Sequence, residues 1–133
     1  MKRFGFILFT LSLLLVFSLF SCGSSSVRLN KDNSYFSHFE IDGGKVYLQC
    51  VLYLENDSEE EKSVRINAFF EDEVNGGLIY NGMLDGYTAG MKRSVFTLQS
   101  GINIVEVIFV GDHAGAVTKQ NRSLPDIQIQ EVN

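Results

Sequence analysis

The chain has 133 residues, which is enough for one folded domain. Hydrophobic residues make up 45% of it and aromatic residues 12%, so it contains enough apolar material for a buried core. Its 16 acidic residues outnumber its 11 basic residues and give a net charge of −5. This balance argues against a nucleic-acid partner, because proteins that bind nucleic acids present a basic face.

The first 21 residues have the layout of an export signal. Lys2 and Arg3 supply a positive start, and the segment from Phe4 to Phe20 contains no charged residue. A basic start followed by an apolar segment is typical of a secretory signal peptide. The segment is also almost as long as a membrane-spanning helix, which needs about 20 residues. An uncleaved membrane anchor is therefore the alternative interpretation.

Residues Leu19, Phe20, Ser21 and Cys22 resemble the lipobox of bacterial lipoproteins. The resemblance implies that the Cys22 thiol receives a diacylglyceryl group and that a peptidase recognises Leu19, Phe20 and Ser21 and cuts before the cysteine. It therefore implies a lipoprotein signal peptide over residues 1–21, with Cys22 as the first mature residue. A chance cysteine, or a palmitoylated thiol beside a membrane helix, is the alternative.

Residues 22–33 are mostly small and polar and are predicted to form a flexible tether. Removal of Lys2 and Arg3 with the signal leaves 11 − 2 = 9 basic residues against 16 acidic ones, a net charge of −7. Two acyl chains hold a protein stably on a membrane without a basic patch. We therefore expect a lipid-anchored protein at the extracytoplasmic face of the cell membrane, with its acidic domain repelled outward from the anionic surface.

Residues 34–133 are predicted to form one β domain. Its clearest strand is "KVYLQCVLYLEN", in which every second residue is apolar, as in a half-buried strand. The preceding segment 35–41 is predicted to form a hairpin with it, because Asp42, Gly43 and Gly44 have the composition of a tight turn. The segment 62–71 is predicted to extend this hairpin into a three-stranded meander.

The second half of the domain contains further strand patterns, predicted at 78–84, 93–99, 102–110 and 126–132. Ser100 and Gly101 indicate a second hairpin between two of them. The segment 102–110 is apolar on both sides except at Asn103 and Glu106, which indicates a central strand.

Six or seven strands at intervals of about ten residues favour an all-β fold, a single antiparallel β-sandwich. The arrangement resembles the immunoglobulin-like sandwiches of bacterial surface proteins, and the tail "KQNRSLPDIQI" is similar to the ends of small uncharacterised lipoproteins from Gram-positive bacteria. An OB-like fold or a small barrel is the alternative.

Few residues have the pattern of a reactive site. Cys50 lies in an apolar strand face and is predicted to be a buried thiol. His38 and His113 are the only histidines, and neither has the neighbours of a zinc site or a hydrolytic triad. The acidic segments "ENDSEEE" and "EDE" lack the spacing of a calcium loop. We predict no catalytic residue, no metal site and no cofactor.

One group of residues has the composition of a contact surface. Tyr47 and Tyr53 face outward in the first predicted sheet, and Arg65 and Phe69 face outward in the next strand. Aromatic residues mixed with polar ones are typical of protein interfaces. We predict a non-catalytic binding or interaction module of the cell envelope, with another envelope protein as a possible partner. An accessory subunit or small hydrolase, and a structural or assembly subunit, are the alternatives.

Overall fold

The computed structural model describes residues 25–117 and 122–133. The predicted signal peptide 1–21 and the predicted lipidation site Cys22 lie outside these residues. The described chain contains seven strands, a single turn of α-helix and a 3₁₀ turn. In chain order they are β1 Val27–Asp42, β2 Lys45–Asn56, β3 Lys62–Phe69, α1 Glu71–Asn75, β4 Met83–Tyr87, the 3₁₀ turn Ala89–Met91, β5 Phe96–Leu98, β6 Gly101–Asp112 and β7 Asp126–Val132.

The seven strands form one antiparallel sheet that curls into a half-barrel. The strand order is β1-β2-β6-β4-β3-β5, with β7 on the other edge of β3. The sheet has two halves, one formed by β1, β2 and β6 and the other by β3, β5 and β7. β4 joins them, because it pairs with β3 and with β6. The mainly β, antiparallel prediction is therefore confirmed, whereas the sandwich and its immunoglobulin-like arrangement stay predictions.

The predicted first hairpin is confirmed. Asp42 lies opposite Lys45 at the end of the β1–β2 ladder, so the loop consists of Gly43 and Gly44. Both glycines have positive φ, at 57° and 77°. A two-residue loop with positive φ at both positions matches the twist of the strands it joins and favours glycine.

The predicted meander and the second hairpin are wrong. β2 lies between β1 and β6, whereas β3 pairs with β4, β5 and β7. The turn at Ser100 and Gly101 therefore connects β5 in one half of the sheet to β6 in the other. Both of the edges that β2 offers are occupied, since β1 and β6 each pair along almost its whole length.

The start of the domain also differs from the prediction. β1 begins at Val27, so residues 27–33 of the predicted tether belong to the sheet. Val27 is buried opposite Asn56 in β2. Long-range pairing and burial thus order a segment whose polar composition alone indicates a flexible chain.

The sequence does not predict the helix α1, and the strand predicted over 62–71 includes its first residue, Glu71. The helix is only five residues long, too short for a helical period to appear in the sequence. Its Glu73 backbone carbonyl accepts hydrogen bonds from Leu78 and, at longer range, Ile79. The helix α1 thereby places the buried side chain of Glu73 at the edge of the core.

The core is a single cluster to which both halves of the sheet contribute. The predicted alternation in β2 and β3 is confirmed, since the inward residues are fully or almost fully buried: Val46, Leu48, Cys50, Leu52 and Leu54 in β2, and Val64, Ile66 and Ala68 in β3. At its centre the rings of Phe70 and Phe109 pack edge to face, with centroids 5.2 Å apart and planes at 69°. Such packing adds to the stabilisation from apolar burial.

Gly86 lies where β4 passes from one half of the sheet to the other. Residues 83–85 pair with β3, and Gly86 pairs with Phe109 in β6. A Cβ atom on Gly86 would lie 2.5 Å from a methyl carbon of Val107 and 2.8 Å from the carbonyl oxygen of Ile66. The close approach of two strands at this bend therefore requires a residue with no side chain.

Candidate functional site

The outward residues of β1, β2 and β6 form one continuous surface, which we call the outer face. The ladder registers place these residues in five rows across the three strands. From the Val27 end, the rows are Arg28, Glu55 and Ile102; Asn30, Tyr53 and Ile104; Tyr35, Val51 and Glu106; His38, Gln49 and Ile108; and Glu40, Tyr47 and Val110. Opposed side chains in an antiparallel ladder lie about 5 Å apart, so each row is a set of neighbours.

Large apolar side chains of the outer face are open to solvent. Ile102 is 70% exposed, Ile104 61% and Tyr35 51%. Tyr47 and Tyr53 are partly exposed beside them. Single exposed apolar residues are common, but neighbouring ones mark an interaction surface.

An irregularity in β1 brings Tyr35 onto the outer face. Five residue steps from Asn30 to Tyr35 lie opposite only two steps from Tyr53 to Val51. The Ser34 hydroxyl fills the gap in the ladder, because it donates to the Asn30 carbonyl at 2.6 Å and accepts from the Tyr53 amide at 3.0 Å. Bulges of this kind re-aim side chains and are frequent next to functional sites.

The charges on the outer face are unevenly paired. At one end, Arg28 forms ion pairs with Glu55 at 3.3 Å and with Asp57 at 2.9 Å. In the middle row, Glu106 has no ion pair and no side-chain hydrogen bond with any of the described residues. A carboxylate that has no counter-charge in the described part of the chain therefore lies between apolar side chains.

The structure does not bring the four predicted contact residues together. Tyr47 and Tyr53 lie on the outer face, in β2. Arg65 and Phe69 lie outward on β3, which two intervening strands separate from β2 in the sheet order. The predicted patch is thus two separate surfaces, and only the half that contains the tyrosines continues into a larger apolar area.

Each of the two β3 residues lines a small cleft. Phe69 borders a cleft of about 200 Å³ whose walls include Glu71, Asp72 and Asp126. Arg65 borders a cleft of about 170 Å³ together with Asp85 and others. Within residues 25–117 and 122–133, no group of three or more His, Cys, Asp or Glu side chains is placed to hold a metal ion.

His113 and Cys50 occupy structural positions, whereas His38 is exposed on the outer face. The His113 ring lies 2.9 Å from the Ala116 carbonyl oxygen through Nε2, while the neighbouring Asp112 is paired with Lys45. This pairing raises the pKa of the Lys45 ammonium, chiefly through the hydrogen bond that the ammonium donates to the Asp112 carboxylate. Cys50 is buried, as predicted, and burial raises the pKa of its thiol to about 12, with the nearby Glu73 carboxylate as a second cause. A thiol that holds its proton this firmly is a poor nucleophile.

The acidic turn after β2 is built around a buried amide. The Asn56 side chain donates to the carbonyl oxygens of Glu60 and Leu98, at 2.8 and 3.3 Å, and accepts from the Ser58 amide at 3.1 Å. These bonds join the turn to β5, so the acidic segment has a structural explanation. Glu61 also accepts a hydrogen bond from Gln99 at 2.9 Å.

A buried ion pair fastens the segment before β7. The Arg122 guanidinium lies 3.4 Å from the Glu73 carboxylate, and the two side chains are only 7% and 6% exposed. The same guanidinium lies 4.4 Å above the centre of the Phe39 ring in β1. Arg122 thereby connects β1, α1 and the start of β7.

No protein-family model, curated protein or solved structure matches this chain. Among the described residues, no helix is long and apolar enough to cross a membrane. Two features of the chain therefore bear on its function, namely the sequence motif at Cys22 and the outer face of the β domain.

Sequence reasoning missed the residues that dominate the outer face, namely Ile102, Ile104 and Glu106. The segment 102–110 was predicted to be central, and β6 does lie between β2 and β4. Its even-numbered residues nevertheless face outward, and the first of them are exposed. Glu106 is one of these even-numbered residues, and its charge indicates that this side of the strand faces solvent.

Proposed function

We propose that this chain is a lipid-anchored lipoprotein of the cell envelope, and that its β domain is a non-catalytic binding module which docks onto another envelope protein through the outer face. The observation that carries the binding half of the proposal is the exposure of Ile102 and Ile104 beside the tyrosines of β1 and β2. The lipobox-like residues Leu19 to Cys22 carry the anchoring half.

The anchor and the domain are close together in the sequence. Five peptide steps separate Cys22 from Val27, the first residue of the sheet, and they reach about 17 Å at about 3.4 Å per residue. Val27 lies in the row that ends at Gly101, so a membrane-bound Cys22 would keep this end of the sheet near the bilayer. The outer face would then be available to a neighbouring membrane-bound or envelope protein.

The outer face has the features of a protein-binding surface. Protein interfaces are enriched in tyrosine, arginine and exposed apolar residues at their centre, with charged residues at the rim. Tyr35, Tyr53 and Ile104 occupy the central rows, and the paired Arg28 and Glu55 lie at one end.

For the finer fold we propose the sandwich form, in which the two halves of the curled sheet act as opposing layers. Two facts support it: both halves contribute to one core, and β4 passes between them at Gly86. An antiparallel sandwich buries one face of each layer in this way and leaves the other face to solvent. The immunoglobulin-like connectivity remains part of the same proposal.

A photo-crosslinking amino acid at position 104 tests the binding function in intact cells. We expect the full-length chain with the crosslinker in place of Ile104 to form an adduct with a second, different polypeptide. The matched control carries the crosslinker in place of Gln130, an exposed residue on the outward side of β7 in the other half of the sheet. Equal adducts from both positions, or none from position 104, would contradict the proposal. An adduct between two copies of this chain would instead support the assembly-subunit alternative.

A further inference from the structure

We infer that the partner of the outer face presents a cationic side chain, lysine or arginine, which pairs with Glu106 when the surfaces meet. This inference rests on the proposed binding function and specifies the chemistry of the partner. The carboxylate of Glu106, which has no ion pair within residues 25–117 and 122–133 and lies between apolar neighbours, carries it.

The neighbours of Glu106 along β6, and its neighbour across the ladder in β2, are apolar. Ile104 and Ile108 are the adjacent outward residues of β6, and Val51 lies directly opposite in β2. Val51 is only 9% exposed, although it belongs to the outward set. A protein that covers Ile104 and Tyr53 would therefore also remove water from Glu106.

Loss of water around an ionised carboxylate is costly unless a counter-charge replaces it. Arg28 is the basic residue in the five rows of the outer face, and it is already engaged by Glu55 and Asp57. The compensating charge must then come from the partner. A cation at this point would also select the correct partner, because an apolar or acidic surface would leave Glu106 buried and unpaired.

The same charges argue against a second copy of this chain as the occupant. A two-fold contact presents the same surface from both sides, so it would bring the acidic outer faces, Glu106 included, towards each other. The chain as a whole has a net charge of −5, which adds to the repulsion. An apolar surface with a basic residue near its centre is the complementary partner.

Substitution of Glu106 in the full-length chain that carries the crosslinker at position 104 tests the inference in intact cells. We expect Glu106→Gln, which keeps the shape and removes the charge, to lower the yield of the adduct about ten-fold or more. Glu106→Asp retains the charge and should keep most of the yield. Asp85→Asn, which removes an exposed carboxylate from β4 where it pairs with β3, outside the five rows of the outer face, is the matched control and should have little effect. Membrane-bound amounts of each variant are compared, so that a loss of folding is distinguished from a loss of binding.

Mass spectrometry of the adduct supplies the second measurement. We expect the crosslinked partner peptide to lie beside a lysine or arginine, and replacement of that residue by glutamate to restore the adduct with Glu106→Lys. An unchanged yield with Glu106→Gln, or equal losses with Asp85→Asn, would overturn the cationic partner while the binding function stands. The lack of any adduct from the unsubstituted Glu106 chain would overturn the binding function itself, and an adduct with lipid or with a second copy would overturn both.

Discussion

Glu73→Ala is expected to lower the free energy of unfolding by about 3–5 kcal/mol, the usual cost of breaking a buried ion pair from one side. The substitution removes the carboxylate that lies 3.4 Å from the Arg122 guanidinium, and both side chains are almost completely buried. The guanidinium would lose this carboxylate at a site where its own side chain is only 7% exposed. Equilibrium unfolding in urea measures the effect.

Arg28→Ala is the matched control for this prediction. Arg28 also forms ion pairs with carboxylates, but its side chain is 64% exposed, and exposed pairs contribute about 0–1 kcal/mol. The double variant Glu73→Leu with Arg122→Met should recover much of the lost stability, because apolar residues of similar size replace both charges. Similar losses from Glu73→Ala and Arg28→Ala would show that the pair does not stabilise the fold as its burial indicates.

Gly86→Ala is expected to destabilise the protein by about 1–3 kcal/mol or more, the range for inserting atoms into a packed core. The new Cβ atom would lie 2.5 Å from Val107 and 2.8 Å from a backbone oxygen of Ile66. Val107 is a fully buried core residue, and the backbone of β3 does not move without disturbing its pairing with β7. The strain therefore acts on the bend that joins the two halves of the sheet.

Asp85→Ala provides the comparison, because Asp85 precedes Gly86 in β4 and faces solvent. Its loss should change the midpoint of thermal unfolding much less than Gly86→Ala does. A Gly86→Ala variant as stable as the Asp85→Ala variant would mean that the strands at this bend separate readily, contrary to the packing described above.

Local patterns in the sequence were enough to predict most of the strands and the buried faces of β2 and β3, although β4 lies at Met83–Tyr87 and not at the predicted 78–84. The alternation in β2 identified five inward residues, and all five are fully buried. The two glycines after Asp42 identified the first hairpin, because a two-residue loop with positive φ has a narrow choice of residues. These features depend on residues that are close together in the chain.

Strand partners could not be predicted in the same way. The pairing of β2 with β6 joins Val51 to Glu106, and the ion pair of Glu73 joins it to Arg122. Both are contacts between residues about 50 positions apart, and no periodicity within either segment records them. The same limit explains the predicted contact patch: Tyr47 and Arg65 are separated by strands that arrive later in the chain, so they appear as neighbours only in a meander.

The sequence predicted some residues of the outer face and missed others. Tyr47 and Tyr53 were identified from their alternation with buried residues in β2. Tyr35 depends on the irregularity at Ser34, whose hydroxyl replaces a ladder contact, and Ile104 depends on the register of β6. Only the assembled sheet places these residues beside Glu106.

Cys22 is proposed to anchor this binding module to the membrane, and the mass of the first peptide of the mature chain shows whether the Cys22 thiol carries lipid. The full-length protein is expressed in bacterial cells, extracted from the membrane fraction with detergent and digested, together with Cys22→Ala and Cys50→Ala variants. We predict that the wild-type chain and the Cys50→Ala chain begin at Cys22 and carry a diacylglyceryl group there, whereas the Cys22→Ala chain keeps residues 1–21. A wild-type chain that begins at Met1 with an unmodified Cys22 thiol would contradict the proposed lipid anchor at Cys22.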